Sequence, residues 1–404
     1  MRAPESGDVP TPSSRGSTSP PPARLGDALR GRSVIRVLTA LLLTRLVLFL
    51  VGACATRILP AASEPRVEAY LGKSLSLAAW VRWDAWWYLS VAERGYWFDQ
   101  HGKSNVAFFP LFPLLIRLLE PVVRNPIAAG LLVANLASVA SVLALWWWVC
   151  ERAGPRAGER ATAWLLVYPF AFFFHSVYAE ALFFVLASLT LAAAGRGRWV
   201  QAGACGALAA ATRPMGIFLV PALLWGVWSA ARGQATRPRG LDVIAATLPA
   251  AGLLAYMLFL GRAFGDPLAF WTAHAAGWDV RLQWIFASHW YETLRIVRRL
   301  WRVQGYTSLL DASRVILPPV FVVLSVQAYR RLGPAAGVYA GLATAVAILF
   351  ASESVGREFL AVVPAFAVLG VVGPTGGIGD TLRLCSLGFL FMFLFAFVTG
   401  HFVG

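Results

Sequence analysis

Charged residues are scarce in this sequence: they make up 14% of its 404 residues, against about 25% in an ordinary soluble domain. Hydrophobic residues reach 58%, and the mean hydropathy is +0.64. Because a soluble core stops growing at roughly 250–300 residues, a soluble protein cannot hide this much apolar surface. The composition excludes a soluble enzyme, a disordered scaffold and a secreted disulfide-rich module, and it indicates a polytopic membrane protein.

Lysine and cysteine are also scarce. Only two of the 35 basic residues are lysines, Lys73 and Lys103, a bias that suggests a GC-rich bacterial genome. The four cysteines form no CxxC motif and lack metal-site spacing, which favours packing roles in the apolar runs. The sequence contains no P-loop, dinucleotide fingerprint, HExxH, nucleophile elbow or DxD pair. We therefore expect no cofactor and no required metal.

Basic residues exceed acidic ones, which gives a formal net charge of +15. In a soluble protein this excess would suggest nucleic acid as a partner. Here the arginines lie mostly between apolar runs, in the positive-inside pattern of membrane proteins, so we expect the bilayer and no nucleic acid. Residues 1–33 are rich in Pro, Ser, Gly and Arg and are predicted to form a disordered cytoplasmic tail. Residues 34–404 are predicted to form one transmembrane domain.

Eleven apolar segments follow the tail. Several are shorter than the ~20 residues needed to cross a bilayer straight. Short paired segments predict broken or re-entrant helices around a buried polar site. The segments are 34–55, 127–149, 161–175, 178–194, 200–212, 215–231, 241–262, 313–329, 335–351, 358–373 and 382–402.

The arginines orient these segments in the membrane. Four of them cluster at the start of the first span, which predicts that the N-terminus lies in the cytoplasm. We expect the chain to be a multi-pass protein of the plasma membrane. The long segments 56–126 and 263–312 then face outward. The loops assigned to the cytoplasm are 150–160, 195–199, 232–240, 330–334 and 374–381, of which only the last contains no arginine.

This topology collects the remaining ionisable residues on one side. Ionisable residues at membrane depth are costly and usually functional. Unrelated solvated charges would have no reason to gather at the outer ends of helices, so we expect one site there. The residues concerned are Asp84, His175, Glu180, Arg213, Glu353, Arg357 and Glu358.

Asp84 lies in an aromatic stretch, Leu77–Gly95, which is predicted to form an amphipathic helix on the outer leaflet. On that helix Asp84 would share a face with Trp87 and Tyr88. A partly desolvated carboxylate in an aromatic stripe suits a general base. The alternative is a structural carboxylate paired with an arginine.

Two arginines are candidates for binding a phosphate. Arg213 precedes Pro214, where helices tend to end, and Arg357 lies at another outer helix start. A guanidinium matches the oxygens of a phosphate at the membrane surface. The alternatives are a structural pair with Asp84 or Glu180 for Arg213, and snorkelling to the interface for Arg357.

Aromatic and polar side chains near these charges are candidates for binding a sugar or an acceptor. They are Trp83, Trp87, His175, Tyr178 and Glu180. Aromatic faces and hydrogen-bonding groups suit sugars, although a lone intramembrane His or Glu can also be a satisfied packing residue. The segment Asn105–Leu115 carries two prolines three positions apart, which predicts either a re-entrant segment or the start of the next span.

Five motifs in order resemble the PIG-V-type mannosyltransferases: RWDAWWYLSVAERGY, AFFPLFPLL, HSVYAEALF, ATRPMG and GREFLAVVP. The resemblance covers roughly residues 35–400. It implies an all-α GT-C fold, an active site on the outer face, a polyprenyl-phosphate sugar as donor, and Asp84 as the catalytic base. In eukaryotes the family adds the second mannose of GPI anchors. Trp86 and Trp87 stand where those members typically carry a histidine, and bacteria make no GPI anchor, so the acceptor is not carried over.

Together these observations predict a glycosyltransferase that moves a hexose, mannose by the resemblance, onto a lipid or glycan hydroxyl by inverting displacement. The alternative is a transporter or flippase of a lipid-linked sugar. That alternative predicts polar groups on both sides of the membrane midplane and inverted repeats. The one-sided clustering of the charges favours the transferase.

Overall fold

The structure is a computed structural model and describes residues 23–58, 75–234, 237–278, 298, 306–350 and 354–403. All regular secondary structure within these ranges is helical. The first helices are α1 (Ala23–Ile58), α2 (Leu75–Ala78), α3 (Ala85–Arg94), α4 (Leu111–Val123), α5 (Pro126–Ala153), α6 (Pro155–Leu166), α7 (Glu180–Ala194), α8 (Trp199–Ala210) and α9 (Leu219–Gly233). The later ones are α10 (Gly240–Thr247), α11 (Pro249–Phe264), α12 (Ala269–Trp278), α13 (Tyr306–Leu332), α14 (Pro334–Phe350), α15 (Val355–Glu358), α16 (Val363–Val372) and α17 (Gly376–Val398).

The predicted broken helices are present. Five helices among the described residues are long and apolar enough to cross a membrane. Two further pairs pass the same test only together: α10 and α11 are bent by 46°, and the pair Val355–Ala361 and Val363–Val372 is bent by 77°. Short 3₁₀ turns at Asn105–Ala107, Ala171–His175, Pro214–Phe218 and Phe359–Ala361 separate other helices. The fold is therefore an all-α membrane architecture with interrupted spans, as expected.

The first helix begins earlier than predicted. It starts at Ala23, whereas the first span was expected from residue 34. After Pro22 the sequence ARLGDALRGR contains good helix formers and no proline, so the helix continues toward the N-terminus beyond the apolar run. The rest of the predicted tail, residues 1–22, lies outside the described residues.

The single amphipathic helix predicted over Leu77–Gly95 is wrong. The chain leaves α2 at Ala78 and enters α3 only at Ala85. Between them Trp83 has a φ of 52°, a left-handed conformation that a right-handed helix cannot contain. Asp84 therefore lies at the N-terminal boundary of α3 and not in the middle of a helical face.

Hydrogen bonds and ion pairs join the loops that were assigned to the cytoplasm to one another and to the adjoining helix ends. Arg36 pairs with Glu159, and Arg196 pairs with Glu151. Arg160 donates to the carbonyl oxygen of Gly370 at 2.8 Å. These contacts gather one set of helix ends, and α7 runs from them to Glu180 at its opposite end. The polar residues of the candidate site lie at that opposite end.

Close helix packing stabilises the region behind the site. A β-carbon at Gly252 of α11 would lie 2.0 Å from the carbonyl oxygen of Ala207 on α8. In lipid, where burial of apolar surface gives helices little reason to associate, such close backbone approach supplies much of the packing energy. A group of buried aromatic rings, including Phe172, Phe173 and Phe397, fills the space below Tyr178.

Candidate active site

Hydrogen bonds to the residues before and after Trp83 fix the backbone conformation around Asp84. The Tyr178 hydroxyl donates to the carbonyl oxygen of Arg82 at 3.0 Å and accepts from the Asp84 amide at 3.3 Å. The buried Arg82 donates from Nη2 to the carbonyl oxygen of Val398 at 3.0 Å. A left-handed non-glycine residue costs roughly 1–3 kcal/mol and persists where surrounding contacts hold it. These hydrogen bonds provide that restraint and fix Asp84 at the start of α3.

Asn105 organises the rest of the loop between α3 and α4. Its side-chain oxygen accepts from the amide of Trp97 at 2.8 Å. Its Nδ2 donates to the carbonyl oxygen of Gly95 at 2.9 Å and to the Ser90 hydroxyl at 3.0 Å. Because Asn105 is buried, these bonds satisfy it and fold the loop back onto α3. The prolines of the following motif lie at the start of α4, a 13-residue helix that is not among those long and apolar enough to cross a membrane, so both arrangements predicted for Asn105–Leu115 stay open.

Five charged side chains meet at the site. Arg357 donates from Nη1 to Oδ2 of Asp84 at 2.7 Å, and its Nε lies 3.1 Å from Oε1 of Glu180. Arg213 pairs with the same Oε1 of Glu180 through Nη1 at 2.9 Å and with Oε1 of Glu358 through Nη2 at 2.5 Å. The structure thus brings the candidate base and both candidate phosphate-binding arginines into one network.

Local backbone geometry explains how the arginines reach this network. Arg213 is extended (φ −152°, ψ 147°) immediately before Pro214, as the sequence predicts. Arg357 lies in the first part of the pair bent by 77°. A β-carbon at the neighbouring Gly356 would lie 2.2 Å from the ring of Phe170, so only glycine allows this turn to pack so closely. Glu353 lies outside the described residues.

The network contains three carboxylates and two guanidinium groups, a formal sum of −1 when all are ionised. The Glu180 side chain is 1% exposed, whereas those of Asp84, Arg357 and Arg213 are 16%, 13% and 10% exposed. Removing one partner of a buried ion pair typically costs about 3–5 kcal/mol because the other charge stays buried. Glu180 therefore serves as a counter-ion to both arginines.

A cavity of about 1480 Å³ opens beside this network. Asp84, Arg213, Arg357 and Glu358 line its charged part. Its apolar part is formed by residues of the 3₁₀ turn after Arg213 and of α11, α12 and α14. These residues are Ile217, Phe218, Leu253, Phe270, Trp271, Val346, Ala347 and Phe350. A single cavity therefore combines a charged centre with a wall that suits a hydrocarbon chain.

A group of aromatic rings closes another side of the cavity. The Trp87 ring stacks on Phe108 at a centroid distance of 5.9 Å and an interplanar angle of 8°. Trp278 meets the Trp87 ring edge-on at 5.4 Å, and the Lys103 ammonium lies 5.6 Å from the Trp278 ring centroid. Trp83 and Trp87, both predicted to bind a sugar or an acceptor, line this cavity.

The other residues predicted to contact a sugar do not line the cavity. His175 packs edge-on against Trp80 at 5.9 Å, and its Nδ1 is 3.5 Å from Oδ1 of Asn135. His175 therefore stands apart from the other candidate residues, because its 3₁₀ turn directs the ring toward α5, and its binding of a sugar stays a prediction. Tyr178 accepts a hydrogen bond from the Asp84 amide, and Glu180 pairs with Arg357. Both residues therefore hold the site in place from outside the cavity.

Several cavity residues were not predicted from the sequence. His274, Trp278 and Phe402 line the cavity, and all three come from segments that had been assigned to the outer side or to the end of the last span. His274 stands among aromatic residues much as His175 does, so the sequence offered no way to prefer it. Among the described residues no three His, Cys, Asp or Glu side chains are grouped as metal ligands, and the metal requirement stays a prediction.

Comparison with known proteins gives a family and a fold. Residues 28–225 match the family described as Mannosyltransferase (PIG-V). The chain is 35% identical over 182 residues to GPI alpha-1,6-mannosyltransferase 2 of Rattus norvegicus and 33% identical over 183 residues to the Mus musculus protein. Each match covers 42% of this chain and 35% of the relative, so the aligned part spans about a third of the relatives' length.

The fold resembles that of ArnT from Cupriavidus metallidurans, solved bound to undecaprenyl phosphate. The TM-score is 0.51 at 16% sequence identity, and the match covers 86% of this chain and 62% of ArnT. The structural likeness supports the GT-C architecture, and the family match confirms the resemblance carried by the sequence motifs. The chain is therefore related to the PIG-V-type mannosyltransferases and has the GT-C fold.

Proposed function

We propose that this protein is an integral membrane glycosyltransferase. It moves a hexose, most simply mannose, from a polyprenyl-phosphate donor to a hydroxyl of a lipid or glycan acceptor on the outer face of the plasma membrane. The observation that carries the proposal is the position of Asp84, which faces a cavity of about 1480 Å³ while Arg357 holds its Oδ2 at 2.7 Å. The relationship to PIG-V-type mannosyltransferases supports the reaction class.

Asp84 acts on the acceptor as a general base. It takes the proton of the acceptor hydroxyl while that oxygen forms a bond to the anomeric carbon of the donor hexose. The bond between this carbon and the phosphate oxygen breaks on the opposite face, so the configuration inverts, as in inverting glycosidases with a sugar or lipid hydroxyl in place of water. The products are the glycosylated acceptor and polyprenyl phosphate, and Asp84 then returns its proton to solvent.

Arg213 and Arg357 stabilise the leaving phosphate. Negative charge grows on the phosphate as the glycosidic bond breaks, and preorganised donors aimed at developing charge lower the barrier most. Both arginines line the cavity, and their ion pairs with Glu180 hold them in place without placing that carboxylate in the cavity. Because the phosphate leaves onto guanidinium donors, the proposed mechanism routes no step through a metal ion.

The apolar wall of the cavity accommodates the donor lipid. Ile217 and Phe218 follow Arg213 in the 3₁₀ turn, Leu253 of α11 lines the same cavity, and Val346 and Phe350 extend the wall along α14. A polyprenyl chain placed there keeps its tail in the bilayer while its phosphate meets the arginines. ArnT, whose fold this chain shares, was solved with undecaprenyl phosphate, which supports a donor of this class.

The decisive experiment uses purified protein in detergent with polyprenyl-phosphate-mannose, labelled in the sugar, and a lipid extract as the acceptor source. A transferase releases free polyprenyl phosphate and moves label into a new lipid or glycan. The same preparation with Asp84→Asn should do neither. If reconstituted protein instead carries the intact donor across vesicle membranes and no donor is cleaved in any assay, the protein is a flippase and the proposal fails.

A further inference from the structure

Trp83 has a backbone conformation that its side chain disfavours. Among the described residues only Trp83 (φ 52°) and Arg124 (φ 57°) have positive φ without being glycine. Such a conformation in a bulky residue is a true outlier, and outliers of this kind concentrate at functional sites. A glycine would form the same turn without strain, so the indole itself needs an explanation.

The strained turn directs the indole into the cavity. Arg82, immediately before it, is 4% exposed and points into the protein, where it donates to the carbonyl oxygen of Val398. Trp83 points the opposite way, is 39% exposed and lines the cavity. The next residue is Asp84, so the indole lies directly beside the proposed base.

A second ring from the far end of the chain completes this arrangement. The Phe402 ring meets Trp83 edge-to-face, with centroids 5.4 Å apart and an interplanar angle of 88°. After α17 the chain turns back through Gly400 (φ 90°), and the His401 amide donates to the carbonyl oxygen of Ala396 at 2.9 Å. This turn presents Phe402 to the cavity.

Arg82 connects the turn that contains Trp83 to the end of α17, from which the Phe402 turn begins. Its guanidinium caps the C-terminal end of α17 at Val398, where a cation also interacts favourably with the helix dipole. The turn that carries Phe402 begins at this same point. The positions of Trp83 and Phe402 are therefore set by one hydrogen-bonded junction and not by independent loops.

We infer that Trp83 and Phe402 form a two-walled aromatic subsite that binds a hexose ring next to Asp84. A pyranose has an apolar C–H face and a rim of hydroxyl groups. The exposed indole can cover the apolar face while the perpendicular Phe402 ring limits how the sugar slides across it, and the hydroxyl rim stays free to reach Asp84. The inference rests on the proposed function for its sugar, which can belong to the donor or to a glycosylated acceptor, and the kinetic experiment below separates these sources.

Hexose binding can be measured without turnover. Saturation-transfer-difference NMR on the purified protein with methyl α-mannoside should give signals from the sugar ring protons. Phe402→Ala and Trp83→Gly should each reduce these signals at least several-fold, and Phe402→Tyr should restore most of them. The matched control is Phe395→Ala, which removes an exposed phenylalanine from α17 and should leave the signals unchanged.

Steady-state kinetics then show whether the bound hexose belongs to the donor or to the acceptor. Phe402→Ala should raise the KM of either polyprenyl-phosphate-mannose or the acceptor extract about tenfold, with kcat changed much less, and the affected substrate identifies the source of the hexose. Trp83→Gly should raise the same KM while the Tm stays equal or rises, because glycine relieves the positive φ. Loss of stability alone would not produce this combination.

The inference is overturned if Phe402→Ala and Trp83→Gly fold normally and leave the NMR signals unchanged. It is also overturned if Phe402→Leu matches the wild type in both assays, since a packing role needs no aromatic ring. If the wild-type protein binds the mannoside through these two residues but cleaves no donor, the subsite stands and the proposed transferase function fails.

Discussion

Arg357 and Asp84, 273 positions apart in the sequence, share a hydrogen bond of 2.7 Å between Nη1 and Oδ2. The same guanidinium contacts Glu180 through Nε at 3.1 Å. The proposed base is therefore oriented by Arg357 of the bent segment before α16, which is held in turn by Glu180 at the start of α7. Because these side chains form one network, substitutions within it should not have additive effects.

Asp84→Asn should abolish sugar transfer while the protein stays folded. The amide has nearly the same shape but cannot take a proton from the acceptor, and loss of a general base typically lowers the rate ~10²–10⁴-fold. The measurement is the initial rate of polyprenyl phosphate release, normalised to folded protein by size-exclusion chromatography and Tm.

Asp99→Asn is the matched control for this substitution. Asp99 lies in the next loop, between α3 and α4, is exposed, and accepts from the His101 amide at 2.9 Å, but it does not line the cavity. It should keep the wild-type rate. An Asp84→Asn protein that retains more than half of the wild-type activity would show that Asp84 is not the base.

The membrane class and the residues of the charged network could be predicted from the sequence. Apolar runs and arginine positions depend on local composition, and a proline after Arg213 acts locally on the backbone. Sorting polar residues by the ends of the spans was enough to select Asp84, Arg213 and Arg357 before any contact was known.

The course of the chain around Asp84 could not be predicted in the same way. The periodicity of Leu77–Gly95 favours one helix, whereas the break at Trp83 depends on Tyr178 and Val398, which are remote in sequence. The two histidines illustrate the same limit. His175 and His274 both follow aromatic residues, and only the packing of their elements determines which of them reaches the cavity.

His175→Gln and His274→Gln should therefore differ in their effects. His175 packs against Trp80 and Asn135 outside the cavity, so its substitution should lower the Tm while kcat and KM per folded molecule stay unchanged. His274 lines the cavity, and its loss should lower kcat/KM about tenfold, near the roughly 1–1.5 kcal/mol of one hydrogen bond. Steady-state rates and thermal unfolding of both variants test this difference. The opposite pattern would support the prediction that His175 binds a sugar.

The loops between α3 and α4 and after α9 should face opposite sides of the membrane. Gln100 and Gln234 are both exposed glutamines, one in each loop, so they form a matched pair for cysteine substitution in a Cys-free background. On intact cells an impermeant maleimide should label Gln100→Cys and not Gln234→Cys, and both should react after permeabilisation. Labelling of Gln234→Cys alone would invert the topology and remove the active site from the outer face.

Arg213 allows two roles to be separated, because it both lines the cavity and pairs with Glu180 and Glu358. Arg213→Lys supplies a point charge in place of the guanidinium fork and should weaken catalysis clearly. Arg213→Met should lower the rate by ~10²–10³, as expected for loss of a donor that stabilises developing charge. It should also destabilise the fold by about 3–5 kcal/mol, because buried carboxylates lose their partner.

A double variant distinguishes the phosphate-binding role from the structural one. Arg213→Met with Glu180→Gln removes one charge of each sign, so the formal sum of the network stays at −1. Glu180 does not line the cavity, and the Glu180→Gln single variant serves as the control. If Arg213 binds the donor phosphate, the double variant should regain most of the lost Tm while its rate stays at least ~10²-fold low. Recovery of both Tm and rate would make Arg213 a counter-ion only, and phosphate binding would then depend on Arg357.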